Sequence, residues 1–209
     1  MNYIKKTDAY DIYIEPSRKT IVIRQKWKYI WSVASGLPNW SYLEKKAWHQ
    51  KADNVIWQQW GDKYVFQTFV ESTNTDQSLH KKKFKVEFDI QWVTSNQHWS
   101  ANIIKVKPHQ RYRSYVNRNA KTINLASIDL KTRVSGDINQ NTLKHEFGHT
   151  ISILDEYSKE YGNKRLSMWV DDTKALMNIG NELRQRYLKG VKKELNTIIP
   201  GVYFIGSLN

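Results

Sequence analysis

Apolar and polar positions alternate over Asp11-Ile12-Tyr13-Ile14-Glu15 and again from Thr20 to Trp27, with Pro16-Ser17-Arg18-Lys19 between them. A period of two on either side of turn residues predicts a β-hairpin. Gly36-Leu37-Pro38-Asn39 breaks the alternation. Asn39 or Ser41 then caps a predicted helix that runs to about Trp60, with Leu43, Ala47, Ile56 and Trp60 as its buried face and Gly61-Asp62 as its end. Lys63 to Val70 reads as a strand, and Ser72 to Ser78 as a polar loop. Phe84, Val86, Phe88 and Ile90 alternate with Lys85, Glu87 and Asp89, which predicts a half-buried strand. Further strands are expected over Asn102 to Lys107, closed by Pro108, and over Thr122 to Asp129.

The period then changes. Ser135-Gly136-Asp137 turns the chain, and Leu143, Phe147, Ile151 and Leu154 recur at helical spacing behind an Asn141 or Thr142 cap. Ser158 to Asn163 reads as irregular, Met168-Trp169-Val170 fits neither period, and Leu176-Met177-Asn178-Ile179-Gly180 reads as a tight apolar turn. A last helix is expected from Asn181, with Leu183, Tyr187, Val191, Leu195 and Ile198 on one face, until Pro200-Gly201 stops it. There is no internal repeat and no linker. Strands with one long helix, a second helix and a closing helix predict an α+β single domain over residues 1–209. Its parts are an N-terminal hairpin region (1–35) and a core (36–199). The core is expected to carry a small twisted, mostly antiparallel sheet, an active-site helix and a C-terminal helix.

The helix over Leu143 to Leu154 also carries the candidate chemistry. His145-Glu146-Phe147-Gly148-His149 places two imidazoles four residues apart, on one face of a helix and off its apolar stripe. Both can aim a ring nitrogen at one metal ion, and Glu146 can reach a water bound there. A catalytic zinc usually takes three protein ligands, so a third is expected. Asp155, Glu182 and Glu156 are the candidates. Ser152 and the helix-compatible Ile153-Leu154 favour a helix that continues, which puts Asp155 about 9 Å further along its axis, out of reach. The preference therefore goes to Glu182, with Asp155 second, Glu156 third, and the unused acid steadying a histidine ring.

Composition narrows these options. The 209 residues include no Cys, which excludes disulfides, thiolate zinc ligands and a Cys nucleophile. Forty per cent hydrophobic and 13% aromatic residues are enough to build a core. No apolar run is long enough to span a bilayer, and Met1 to Asp8 has no apolar stretch after its lysines. The expectation is a protein made in the cytoplasm without a secretory leader. The net charge of +13 has its densest stretch at Lys105, Lys107, Arg111, Arg113, Arg118 and Lys121, interleaved with Tyr112 and Tyr115. A solvated face is the plain interpretation, and a nucleic-acid- or anionic-surface-binding protein with a structural or absent metal is the alternative.

His145-Glu146-x-x-His149 with Asp155 six residues on resembles the metzincin pattern, and Leu176-Met177-Asn178 resembles its Met-turn, although Ser152 stands where that family has Gly. The wider stretch His145 to Tyr157, with Leu176 to Gly180, Leu183 to Tyr187, Leu37 to Ser41, Glu44 to His49 and Ile56 to Trp60, resembles the zincin-type metallopeptidase toxin domains fused to type VI secretion spike proteins. The resemblance covers about residues 37 to 190. It implies a zincin-like fold and a zinc-dependent endopeptidase acting as an antibacterial effector. It also implies delivery into a target cell's periplasm, an immunity protein in the producer, a spike protein as carrier, and a peptide or protein substrate. In that scheme one Zn2+ is held by His145, His149 and an acid. Glu146 is the general base, and Tyr157 and Tyr187 are candidate donors to the developing oxyanion. Met177 floors the metal site, and substrate pairs with the strand around Ile123 to Ile128. His49, His80, His98 and His109 are expected to be structural or exposed.

Overall fold

The computed structural model describes residues 2–74, 77–135, 138–157 and 168–209. The expected irregular stretch at 158–163, and residues 136–137 of the expected turn, lie outside the described residues. The fold is a single α+β unit with a nine-stranded sheet and three α-helices among the described residues. The strands are β1 (Tyr3–Lys6), β2 (Asp11–Glu15), β3 (Thr20–Val33), β4 (Tyr64–Val70), β5 (Lys83–Trp92), β6 (Trp99–Lys105), β7 (Tyr115–Asn117) and β8 (Thr122–Ala126), with β11 (Val202–Leu208) at one edge. The helices are α1 (Tyr42–Trp60), α2 (Thr142–Thr150) and α3 (Lys189–Leu195), the last entered through a 3-10 turn at Gln185–Leu188. A separate hairpin, β9 (Thr132–Ser135) and β10 (Ile138–Asn141), leads into α2.

The order across the sheet is β11-β4-β5-β3-β6-β8-β7, with β1 and β2 attached to β3. Five of the eight pairings within this sheet are antiparallel, and the three around its centre (β3 with β5, β3 with β6, β6 with β8) are parallel. The 14-residue β3 is long enough to hold β2 and β6 one after the other along the edge opposite β5. The second strand of the N-terminal hairpin is therefore the centre of the sheet.

The gap between β2 and β6 is closed by a polar cluster. The Asp11 carboxylate accepts from Lys26 Nζ at 2.6 Å and from His98 Nε2 at 3.2 Å, while His98 Nδ1 accepts from the Lys26 backbone N–H at 3.0 Å. Burial pushes the Asp11 pKa up, but the ammonium and imidazole partners outweigh it, and the net shift is downward. Burial holds His98 below its usual value. The signs combine. The stability Asp11 contributes is present above its ordinary value near 3.8 and is lost as pH falls below it. Neutral His98 starts to cost stability once pH falls below its ordinary 6.5. Urea melts should therefore show stability declining below pH 6.5 and more steeply below 4. Asp11→Asn should cost about 3 kcal/mol at pH 7, because it leaves a largely buried ammonium without its counter-charge and one of the two donors without an acceptor.

The first and last helices depart from the sequence expectation. The buried face of α1 is Trp48, Ala52, Ile56 and Trp60, while Leu43 is 74% exposed. Thirteen residues separate Leu43 from Ile56, which turns them about 220° apart around a helix, so both cannot face the core. Ser41 and Glu44 form a reciprocal capping box that fixes where α1 starts. The expected closing helix starts late: Asn181 to Arg184 run extended, and the helical turns hold Gln185 to Leu195. After Gly201, which takes φ +70°, the chain returns as β11, burying Val202 and Phe204 against β4.

Candidate metal centre

Helix α2 is anchored at both ends before it presents any chemistry. The Asn141 side chain caps it by accepting from the Lys144 N–H at 3.1 Å, and its own amide donates to Leu130 O. Leu143, Phe147 and Ile151 are buried. Phe147 sits 5.7 Å from the Trp60 ring of α1 and 5.6 Å from Phe88 of β5. On the side of β3, buried Gln25 donates to Thr150 Oγ1 at 2.8 Å and accepts from Trp27 Nε1 at 2.8 Å.

The C-terminal end of α2 decides the site. Ser152 adopts φ +73°. Its N–H donates to His149 O at 3.1 Å, and the Ile153 N–H reaches back to Gly148 O at 3.1 Å. These two bonds are those of a Schellman cap, built here on serine in the left-handed region where glycine is usual. The chain therefore reverses instead of continuing, and Leu154, expected on the apolar stripe, is 57% exposed. The reversal brings Asp155 back to the helix. Its Oδ1 lies 3.0 Å from His145 Nε2 and 3.1 Å from His149 Nε2. A side chain at φ +73° is strained, so Ser152→Gly should raise stability by about 1 kcal/mol, about 2–4 °C in a thermal melt, with metal binding retained.

The tautomers follow from the backbone. His145 Nδ1 lies 2.8 Å from Leu176 O, and His149 Nδ1 lies 2.9 Å from Ile153 O. A carbonyl only accepts, so both Nδ1 atoms carry hydrogen and both Nε2 lone pairs face the common centre. Gln140 of β10 lies 3.0 Å from His145 Nδ1, with its two amide hydrogens directed at Leu176 O (3.0 Å) and Asn178 O (2.6 Å). Two lone pairs and a carboxylate oxygen converging on one point require a cation between them. In the metal-free state a proton on His149 serves. Burial works against charging His149, yet the Asp155 hydrogen bond and the nearby acids raise its pKa on balance. Burial likewise opposes ionised Asp155, and its bonds to the two imidazoles hold it well below the carboxylate range.

The three groups also suit a metal. Their ligand atoms all lie within 4.8 Å of one another. Tetrahedral zinc with ligands at about 2.0–2.1 Å would set them about 3.3 Å apart, a few tenths of an ångström wider than the present oxygen–nitrogen distances. Beside them, Glu146 is 7% exposed, and its Oε2 is buried without a hydrogen-bond partner among the described residues. Burial raises its pKa, with the two imidazoles opposing. An orphaned carboxylate oxygen next to a metal-ligand cluster fits a site built around a water and a cation.

The floor is Met177. It is fully buried, and a Cβ on Gly148 would come within 2.3 Å of its Sδ, so helix and turn meet at a residue without a side chain. The turn is held by Leu176 N–H to Glu182 O (2.7 Å) and Glu156 N–H to Met177 O (2.8 Å). A Cβ on Gly180 would fall 2.1 Å from Lys174 O.

The preference for Glu182 as third ligand is corrected. Its side chain is 57% exposed and pairs with Arg184 at 2.9 Å, and it steadies neither histidine ring. Glu156 is taken up by Arg186 in a bidentate pair (2.6 and 2.7 Å), and Arg186 and Arg184 both hold Asp172. Tyr187 is buried beneath the turn, where its hydroxyl accepts from the Met177 N–H and donates to Glu156, each at 3.1 Å. That hydroxyl is occupied and supports the floor, so it is not placed to donate to an oxyanion. Tyr157 does reach the site, with its ring stacked 5.9 Å from His145. The substrate strand is also revised: residues 122–124 of β8 pair with β7, which leaves β7, packed beside α2, as the edge strand. Of the other histidines, His49 hydrogen-bonds Tyr29, His80 accepts from Val70 N–H, and His98 belongs to the Asp11 cluster.

Scanned against protein-family models, curated proteins and solved structures, the chain matches none.

Proposed function

We propose that this chain is a zinc-dependent endopeptidase, with His145, His149 and Asp155 as ligands and Glu146 as general acid and base. One observation carries the reading. Two imidazole nitrogens, each freed by a backbone carbonyl behind it, meet a carboxylate beside a buried, unpartnered glutamate. A zinc ion in this cluster would supply a Lewis acid for the scissile carbonyl and lower the pKa of the attacking water. Glu146 takes that water's proton, and burial makes it a stronger base than an exposed glutamate. It then passes the proton to the departing amine. Tyr157, stacked on His145, is the residue whose hydroxyl can follow charge onto the carbonyl oxygen. Leu176 O and Ile153 O hold the rings, so the ligand set needs little rearrangement to form.

The residues that resemble spike-fused toxin domains extend this reading to an antibacterial effector. It would be carried by a secretion spike, act in a target periplasm and be neutralised at home by an immunity protein. The test of the peptidase itself is metal removal. Cleavage of an unfolded protein substrate should cease after dialysis against 1,10-phenanthroline and return with one equivalent of zinc. Activity that survives complete stripping refutes the proposal. The basic-binder alternative has less support, because Lys105 pairs with Glu44 and Lys121 with Asp8.

A further inference from the structure

An open depression of about 490 Å³ adjoins the cluster, shares His149 with it and is also lined by Ser152 of the chain reversal. Its far wall is the β7–β8 turn, which carries Arg118 and Lys121, and Trp99 forms its base. The two cations differ. Lys121 is committed, its ammonium 2.9 Å from Asp8 and 5.0 Å over the Trp99 ring. Exposed Arg118 forms no ion pair or hydrogen bond through its side chain among the described residues. Asp8 is thus neutralised by Lys121, and Arg118 leaves the depression with one uncompensated positive charge. A guanidinium offers a planar fork of donors that matches a carboxylate.

We infer that this depression is a specificity subsite for a carboxylate of the substrate, with Arg118 as the group that recognises it. The inference rests on the peptidase reading and narrows its substrates to peptides that present a carboxylate, from a side chain or a free C-terminus, at this position. Arg118 directly follows β7, the edge strand beside α2, so a chain lying along that edge toward His149 passes the guanidinium. A carboxylate entering here meets Arg118 first, and Asp8, the one acid among the described lining residues, is already paired.

The probes are acetylated, amidated decapeptides of Ala and Gly in which a single Glu is moved along the chain, each with a Gln twin. A third set carries a free C-terminus and no Glu, which separates a terminal carboxylate from a side-chain one. Cleavage is measured with zinc-loaded protein, and binding is measured by anisotropy with zinc-loaded Glu146→Gln. The expected result is a preference of about tenfold or more for Glu, or for the free terminus, over the neutral twin at one register. Arg118→Ala should bring that ratio near one, and Arg118→Glu should reverse it toward a Lys-bearing peptide. Equal treatment of acid and amide, or a preference indifferent to Arg118, overturns the subsite even if peptides are cut. Arg118-dependent binding without any cleavage keeps the subsite and refutes the peptidase. Neither binding nor cleavage refutes both.

Discussion

Glu146→Gln should abolish peptide hydrolysis, by at least about a thousandfold in kcat, while zinc stays bound at one ion per chain. The expectation has two separable parts. The glutamate is not a member of the ligand cluster, so its loss leaves the metal affinity set by the other three groups. Its Oε2 is buried without a hydrogen-bond partner among the described residues, so that oxygen is free to carry the proton. Stability gives a second readout. If Glu146 served as a structural ion-pair partner, neutralising it would destabilise the fold. As a buried carboxylate with an unpartnered oxygen it costs the metal-free protein free energy, so the Gln variant should melt no lower than the parent. A variant that loses its zinc, melts early, or retains a tenth of its activity contradicts the assigned role.

The elements that the sequence disclosed were those whose local pattern and tertiary demand agree. The Ser41–Glu44 box starts α1 where the cap residues suggested, and the alternation at Phe84, Val86, Phe88 and Ile90 is buried in β5 as its period required. His145, Glu146 and His149 were legible because helical spacing alone places them. The failures share a cause, which is that a pairwise or backbone feature has no periodic signature. Gln140 contacts His145 and Gln25 anchors Thr150, and each is a lone amide whose partner lies across the fold. Strand β11 follows Pro200-Gly201, a signal that ends a helix equally well whether a strand or nothing comes next.

Ser152 is the most instructive case. Serine is a poor left-handed residue, and treating it as helical sent the third ligand to Glu182. The Schellman hydrogen bonds, together with the meeting of Asp155 with two imidazoles, outweigh a conformational cost of about 1 kcal/mol. The two acids that stay out of the cluster are used around the Leu176–Gly180 turn instead. Glu182 bonds through its backbone, and Glu156 joins Arg186, Tyr187 and Asp172 below Met177. The network that fixes the floor is thus built from the residues that competed, in sequence, for the ligand position.

That division of labour separates the two acids experimentally, and the second large effect is expected there. Asp155→Ala should weaken zinc binding more than about a hundredfold, beyond what losing a group that merely orients a ligand costs, because an atom of the ligand set itself is removed. Glu182→Ala should change zinc affinity less than about twofold. Its side chain is more than half exposed, and an ion pair of that kind with Arg184 is worth under about 1 kcal/mol. Competition titration against a chromogenic chelator reads both variants on one scale. Asp155→Asn adds a control of shape: it keeps the size of the side chain and removes its charge, so an affinity near that of the alanine variant assigns the loss to the anionic oxygen. The opposite ranking, with Glu182→Ala stripped of zinc and Asp155→Ala loaded, would mean that the chain rearranges on binding metal and that the carboxylate between the two imidazoles belongs to the metal-free state alone.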